Sequence, residues 1–94
     1  MRQSFLVHHV GDTVGVAVQD IPEARKVSGR VQSTGDELEL EVVEPVPLGH
    51  KVALRDIASG EPVIKYGVAI GLATADINTG QRVHVHNLKG QRWA

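Results

Sequence analysis

Apolar residues in this chain never hold a helical rhythm. They come in short alternations and runs, SFLVHHV, TVGVAV, KVSGRVQS, ELELEVVE, HKVAL, PVIKYG and RVHVHNL, each cut off within a few residues by Gly, Pro or Asp. Alternation of period two sends every second side chain to the same face, which is the geometry of a strand. Turn residues this frequent keep each strand short. ELELEV is the sharpest case, with Leu38, Leu40 and Val42 on one face and Glu37, Glu39 and Glu41 on the other. It reads as a half-buried edge strand guarded by its carboxylates, and STGDE before it reads as a hairpin turn. The expectation is an all-β domain of short strands and long bent hairpins, with little or no helix, over residues 1–94.

Composition enters as a set of exclusions. Ninety-four residues suit one small domain with one modest core. Ten Lys and Arg are interspersed with eleven Asp and Glu, so there is no basic stripe for a nucleic acid. With no long apolar run and no charged-then-apolar leader, the chain reads as soluble and cytoplasmic, without a membrane partner. The absence of cysteine removes disulfides and thiol chemistry and leaves His, Asp, Glu or Asn as the possible metal ligands. A single Phe, Tyr and Trp are too few for a base-stacking platform. Neither a nucleophile with its base nor a phosphate-cradling glycine loop is present.

One spacing occurs three times. A-x-x-D-I, with Val six residues after the Ile, appears at 17–27, 53–63 and 73–83, and the last two carry Gly60 and Gly80 four residues after the Asp. In physical terms a strand ends at the Ala and the Asp side chain accepts N–H groups that open the turn. The Ile stays in the core, and the Gly takes a left-handed conformation before the Val starts the next strand. Asp20, Asp56 and Asp76 are on this view turn formers, although their carboxylates also suit a metal. Ala24 stands where the first copy's Gly is due, so that turn either differs or carries roughly 1 kcal/mol of strain.

The stretch VPLGHKVALRDIASGEPVIKYGVAIGLATADINTGQRVHVHN, about residues 46–88, resembles the N-terminal SAF-type module of the altronate/galactarate dehydratase family. FLVHHVGDTVGVAVQDI, residues 5–21, is similar to it more loosely, and the charged hairpin of 28–44 falls outside the match. The ordered set PxGHKVAL, GEPVIKYG, IGxAT and VHVHN carries the resemblance. It implies a β-clip fold. VGVAV near the start is similar in particular to the separate small subunits of split members, the sulfolactate sulfo-lyases among them. The resemblance thus implies a small subunit of a hydroxy-acid lyase, inactive alone and completed by a larger catalytic chain. Its substrate would be a hydroxy acid or sugar acid, and its cofactor iron or another divalent cation shared with the partner. Val68, Leu72 and Arg82 depart from residues the family usually carries there, and Val68 replaces a polar group.

The reaction implied is a β-elimination, in which a proton leaves the carbon beside the carboxylate and water or sulfite leaves the next carbon. It needs charge stabilisation, a base and an acid. His84 and His86 are the candidate metal ligands; on a strand they share a face, either as a half-site or as an ordinary wet surface. Asn87 is a candidate substrate contact or a turn residue. His50 and Lys51, presented by the PLGHK turn, are candidate catalytic groups or a solvated pair. Lys65 is a candidate carboxylate contact and, with Tyr66, a candidate catalytic group; a Tyr capping the core is the other reading. At most one of His8 and His9 joins such a site, since strand neighbours face opposite ways. A non-catalytic module that binds sugar acids, or serves as a lid or structural subunit, is the alternative function.

Overall fold

The computed structural model describes residues 3–84 and 86–90, and among them there are nine strands and no helix. These are β1 (Phe5–Val7), β2 (Val14–Ala17), β3 (Arg25–Val31), β4 (Glu37–Val42), β5 (Lys51–Ala53), β6 (Pro62–Lys65), β7 (Val68–Ala73), β8 (Arg82–Val83) and β9 (Leu88–Gly90). Six form one sheet in the order β4-β3-β1-β2-β5-β8, and β6-β7-β9 form a second. The all-β expectation holds. No described helix is long and apolar enough to cross a membrane.

The sequence pattern explains the sheets. β4 is the edge expected of it, with Leu40 and Val42 buried, Leu38 half-buried and the glutamates exposed. Lys26 and Arg30 of β3 pair with Glu39 and Glu37 along this hairpin. At the sheet's centre the fully buried Phe5 lies opposite Gly29 on the parallel neighbour β3. A Cβ at position 29 would run into the Phe5 ring, so only glycine admits the ring there. The core has two parts. One gathers Phe5, Val7, Ile21, Leu40, Val42, Val46 and Val52, the other Val14, Ile57, Val63, Ile77 and Val83.

The repeated spacing proves to be a clasp between pairs of turns. The backbones of Ile57 and Ile77 exchange hydrogen bonds of 2.8 Å in both directions. Asp56 accepts the N–H of Thr79 at 2.8 Å, while Asp76 accepts the N–H of Ser59 at 2.9 Å. Each aspartate thus caps the opposite turn rather than its own, which corrects the local cap expected from sequence.

A matching clasp joins 17–27 to a fourth copy, Val42-x-x-Pro45-Val46-x-x-Gly49-x-x-Val52. Ile21 and Val46 exchange bonds of 2.9 and 2.8 Å, and Asp20 accepts the N–H of Leu48 at 2.8 Å. Pro45 in the aspartate's place hid this copy in the sequence. Gly49, Gly60 and Gly80 have φ of 86°, 88° and 87°, the left-handed values the turn requires. Ala24 does not adopt a positive φ, so the first turn differs and runs directly into β3.

Candidate functional site

Lys51 of β5 pairs with Val83 of β8 in antiparallel register. One step further along that ladder His50 meets His84, and the two rings stack with centroids 4.4 Å apart and planes at 30°. β8 ends at Val83, so the strand expected to carry both His84 and His86 is replaced by a turn. Asn87 builds that turn: its N–H donates to the His84 carbonyl at 3.0 Å, and its Oδ1 accepts the His84 N–H at 2.8 Å. Its Nδ2 donates to the Arg82 carbonyl at 2.8 Å. The carboxamide is buried and engaged by the protein at both ends, a role that fixes His84. His86 is exposed on the same turn.

Charge gathers around the stacked pair. Partial burial, followed by His50, Lys51, Arg82 and His86, holds the His84 pKa below the ordinary histidine range. Burial and the nearby Lys65 likewise lower that of Lys51. Ion pairs among the described residues are Arg25–Glu23, Lys26–Glu39 and Arg30–Glu37, all on the β3–β4 side. Lys51 and Lys65 take part in none. The result is a patch in which Lys51, Lys65 and Arg82 supply positive charge around the histidines, with the Glu44 carboxylate on the Arg82 N–H at its border, a surface suited to an acid substrate.

Lys65 and Tyr66 sit at the tip of the β6–β7 hairpin. Tyr66 and Gly67 both have positive φ, 57° and 74°, as a two-residue type I′ turn demands. Tyr66 is the only described non-glycine residue with that conformation. Its ring stacks on His8 at 3.9 Å, and the Lys65 Nζ lies 4.9 Å from the ring centroid. Half-exposed, it does not cap the core. His8 also contacts Gln32 through Nδ1 at 3.0 Å, whereas His9 is exposed and contributes a backbone N–H to Asp12. Of the two, His8 is the one whose ring contacts Tyr66.

Asp12, which the sequence reading passed over, positions the tip. Its buried carboxylate accepts the N–H groups of Tyr66 at 3.0 Å, Gly67 at 2.9 Å and His9 at 3.2 Å. Thr13 beside it exchanges two bonds with Ile64. Asp12 sits in no motif, and only a contact between distant segments exposes its role. Arg55 is exposed, and Asp20, Asp56 and Asp76 are occupied as turn caps.

The His50 Nδ1 is buried and has no hydrogen-bond partner. Such an orphan costs about 1–3 kcal/mol in a folded protein. Among the described residues no group of three or more His, Asp or Glu is placed to hold a metal ion. The stacked His50 and His84, with His86 nearby, amount at most to part of a metal site.

The model of the altronate/galactarate dehydratase SAF domain family matches residues 3–91 of the chain, which takes in the 28–44 hairpin that the sequence resemblance had left outside. The chain belongs to this family. Over 94 residues it is 45% identical to the (2R)-sulfolactate sulfo-lyase subunit alpha of Chromohalobacter salexigens, covering 99% of this chain and 100% of that protein. The subunit of the same designation from Paracoccus pantotrophus is 41% identical over 63 residues, which is 67% of this chain and 94% of that one. The altronate dehydratase of Escherichia coli is 44% identical over 85 residues, or 90% of this SAF domain but only 16% of the enzyme. The first of these subunits therefore matches along its whole length, whereas the dehydratase contains the same SAF domain as a small part.

Proposed function

We propose that this SAF domain is the small subunit of a hydroxy-acid lyase and completes, with a larger chain, a site for β-elimination. The observation that carries the proposal is the convergence of His50, Lys51, Lys65 and His84 from three separated turns onto one cationic patch, with a ring nitrogen of His50 left unpartnered. Two relatives named as subunit alpha of a sulfo-lyase support the subunit reading, and two altronate dehydratases support the elimination chemistry.

In this reading Lys65 and Lys51 hold the substrate's anionic groups and draw charge onto its carboxylate as the adjacent proton leaves. His50 moves that proton, being the one imidazole in the patch with an unoccupied buried nitrogen. Tyr66, beside Lys65, donates a hydrogen bond to the departing group. Asn87 acts through the turn that holds His84. A divalent cation, iron in the family's chemistry, would be held by His84 and His86 together with partner ligands, and when bound it would polarise the carboxylate. The described residues alone group too few ligands to close such a site, which fits a shared centre.

The test is to purify this protein from its own cells in anaerobic buffer and to assay what accompanies it on sulfolactate and on altronate. A larger chain with turnover that is nearly abolished by His86→Ala is the expected result. Recovery of the protein alone, or full activity in the variant, overturns the proposal. The incomplete ligand set also favours a second reading, a sugar-acid-binding lid without chemistry. Calorimetry with hydroxy acids separates the two, since a lid binds without metal and after substitution of both His84 and His86.

A further inference from the structure

Among the described residues five turns share one backbone bond, from the N–H of a residue to the carbonyl three residues earlier. They end at Asp12, His50, Glu61, Gln81 and Asn87, with N···O distances of 3.2, 3.0, 2.9, 3.0 and 3.0 Å. In four of them the side chain of the last residue returns the bond by accepting the N–H of the first. Asp12 accepts from His9 at 3.2 Å, Glu61 from Ala58 at 2.7 Å, Gln81 from Asn78 at 2.6 Å and Asn87 from His84 at 2.8 Å. Acceptors on both long and short side chains reach that N–H.

The fifth turn runs from Pro47 to His50, and proline has no N–H to give. The His50 Nδ1 stands as many bonds from its Cα as the acceptor oxygens of Asp12 and Asn87 do, yet it is buried without a partner. We propose that Pro47 is a positioning residue: by withholding the donor that closes the four sister turns, it leaves the His50 imidazole free to stack on His84 and serve the site. This rests on the reading of His50 as a site residue. Any other residue at 47 would offer an N–H and draw the ring into its own turn, as happens to the side chains of Glu61 and Gln81 in the matching turns. Pro47 therefore acts on the chemistry through His50 and touches no substrate itself.

The experiment is Pro47→Ala in the 15N-labelled full chain, read by NMR and then by kinetics in the complex with the larger subunit. The expected result is a new amide at position 47 that is protected from exchange, a His50 Nδ1 resonance shifted to that of a hydrogen-bonded acceptor, and kcat reduced roughly tenfold or more. KM should change little, because the lysines stay in place. A freely exchanging amide with an unmoved Nδ1 resonance overturns the inference whatever the activity. A new bond with unaltered kcat overturns it as well. If the wild-type complex shows no lyase activity, the function proposed above fails, and the NMR result still decides whether Pro47 keeps His50 free.

Discussion

The carboxylate of Asp12 accepts the backbone N–H of Tyr66 across 54 residues of sequence, at the point where Tyr66 adopts φ of 57°. Gly67 and His9 donate to the same carboxylate, so one buried side chain ties the first loop to the tip of the β6–β7 hairpin. Asp12→Ala should lose about 2–4 kcal/mol, because bonds to a charged acceptor are worth roughly 1.5–3 kcal/mol each and are not additive. Urea unfolding measures the loss. Turnover should fall with it, since Lys65 and Tyr66 are carried by that tip.

Tyr66 occupies a conformation that Gly, Asn or Asp adopts more readily. Tyr66→Asn should therefore stabilise the isolated chain by about 0.5–1 kcal/mol, less whatever the stack on His8 contributes. Activity should drop in the same variant. A gain in melting temperature together with a loss of turnover marks strain kept for function; a loss of both marks a structural tyrosine.

Asp56 accepts both the N–H and the hydroxyl of Thr79, and these bonds hold its pKa below the ordinary carboxylate range. The native state thus binds this proton less readily than the unfolded chain. Its contribution is complete above the ordinary carboxylate pKa and fades as pH falls through the lowered value. Asp56→Asn should be less stable than wild type near neutrality, and the gap should close in strong acid. Denaturant titrations at about pH 7 and about pH 2 make the comparison.

Lys51 is one of the charges that hold the His84 pKa down. Lys51→Met should raise it, and an NMR titration of His84 in the full chain reads the shift directly. In the assembled enzyme the same variant should lose affinity for an anionic substrate more than it loses melting temperature, because Lys51 makes no ion pair among the described residues.

His50→Ala removes an unpartnered nitrogen rather than a hydrogen bond. Its stability cost should be confined to the lost stack on His84, about 1 kcal/mol, while turnover of the complex should fall by about 10²–10⁴. A large stability loss with little kinetic effect would assign the ring to the core.

The strand pattern could be read in the sequence because alternation records which face is buried. ELELEV gave both its face and its edge position, and A-x-x-D-I marked three of the four clasp turns. What the sequence could not show is where each side chain reaches. Asp56 and Asp76 cap one another's turns because their partners lie in a hairpin folded against them, not in the local chain. HVHN looked like a strand because two histidines alternate, yet Asn87 turns the backbone immediately after Val83. His50 and His84 were each singled out, but their pairing follows from the β5–β8 register, which the 33 residues between them conceal. Pro47 opens PxGHKVAL and Asp12 lies within 5–21, yet neither role could be read there, since both act through backbone groups that any sequence possesses.

Gly80 meets the end of β4 backbone to backbone. Its carbonyl accepts the Val43 N–H at 3.1 Å, and a Cβ on it would collide with the carbonyl of Glu41. The end of the charged hairpin is thus seated against the histidine-bearing half through backbone, with the Glu44 carboxylate accepting the Arg82 N–H at 3.0 Å beside it. Any residue but glycine at 80 would act as a shim, prising the end of the hairpin away from the segment that leads to His84.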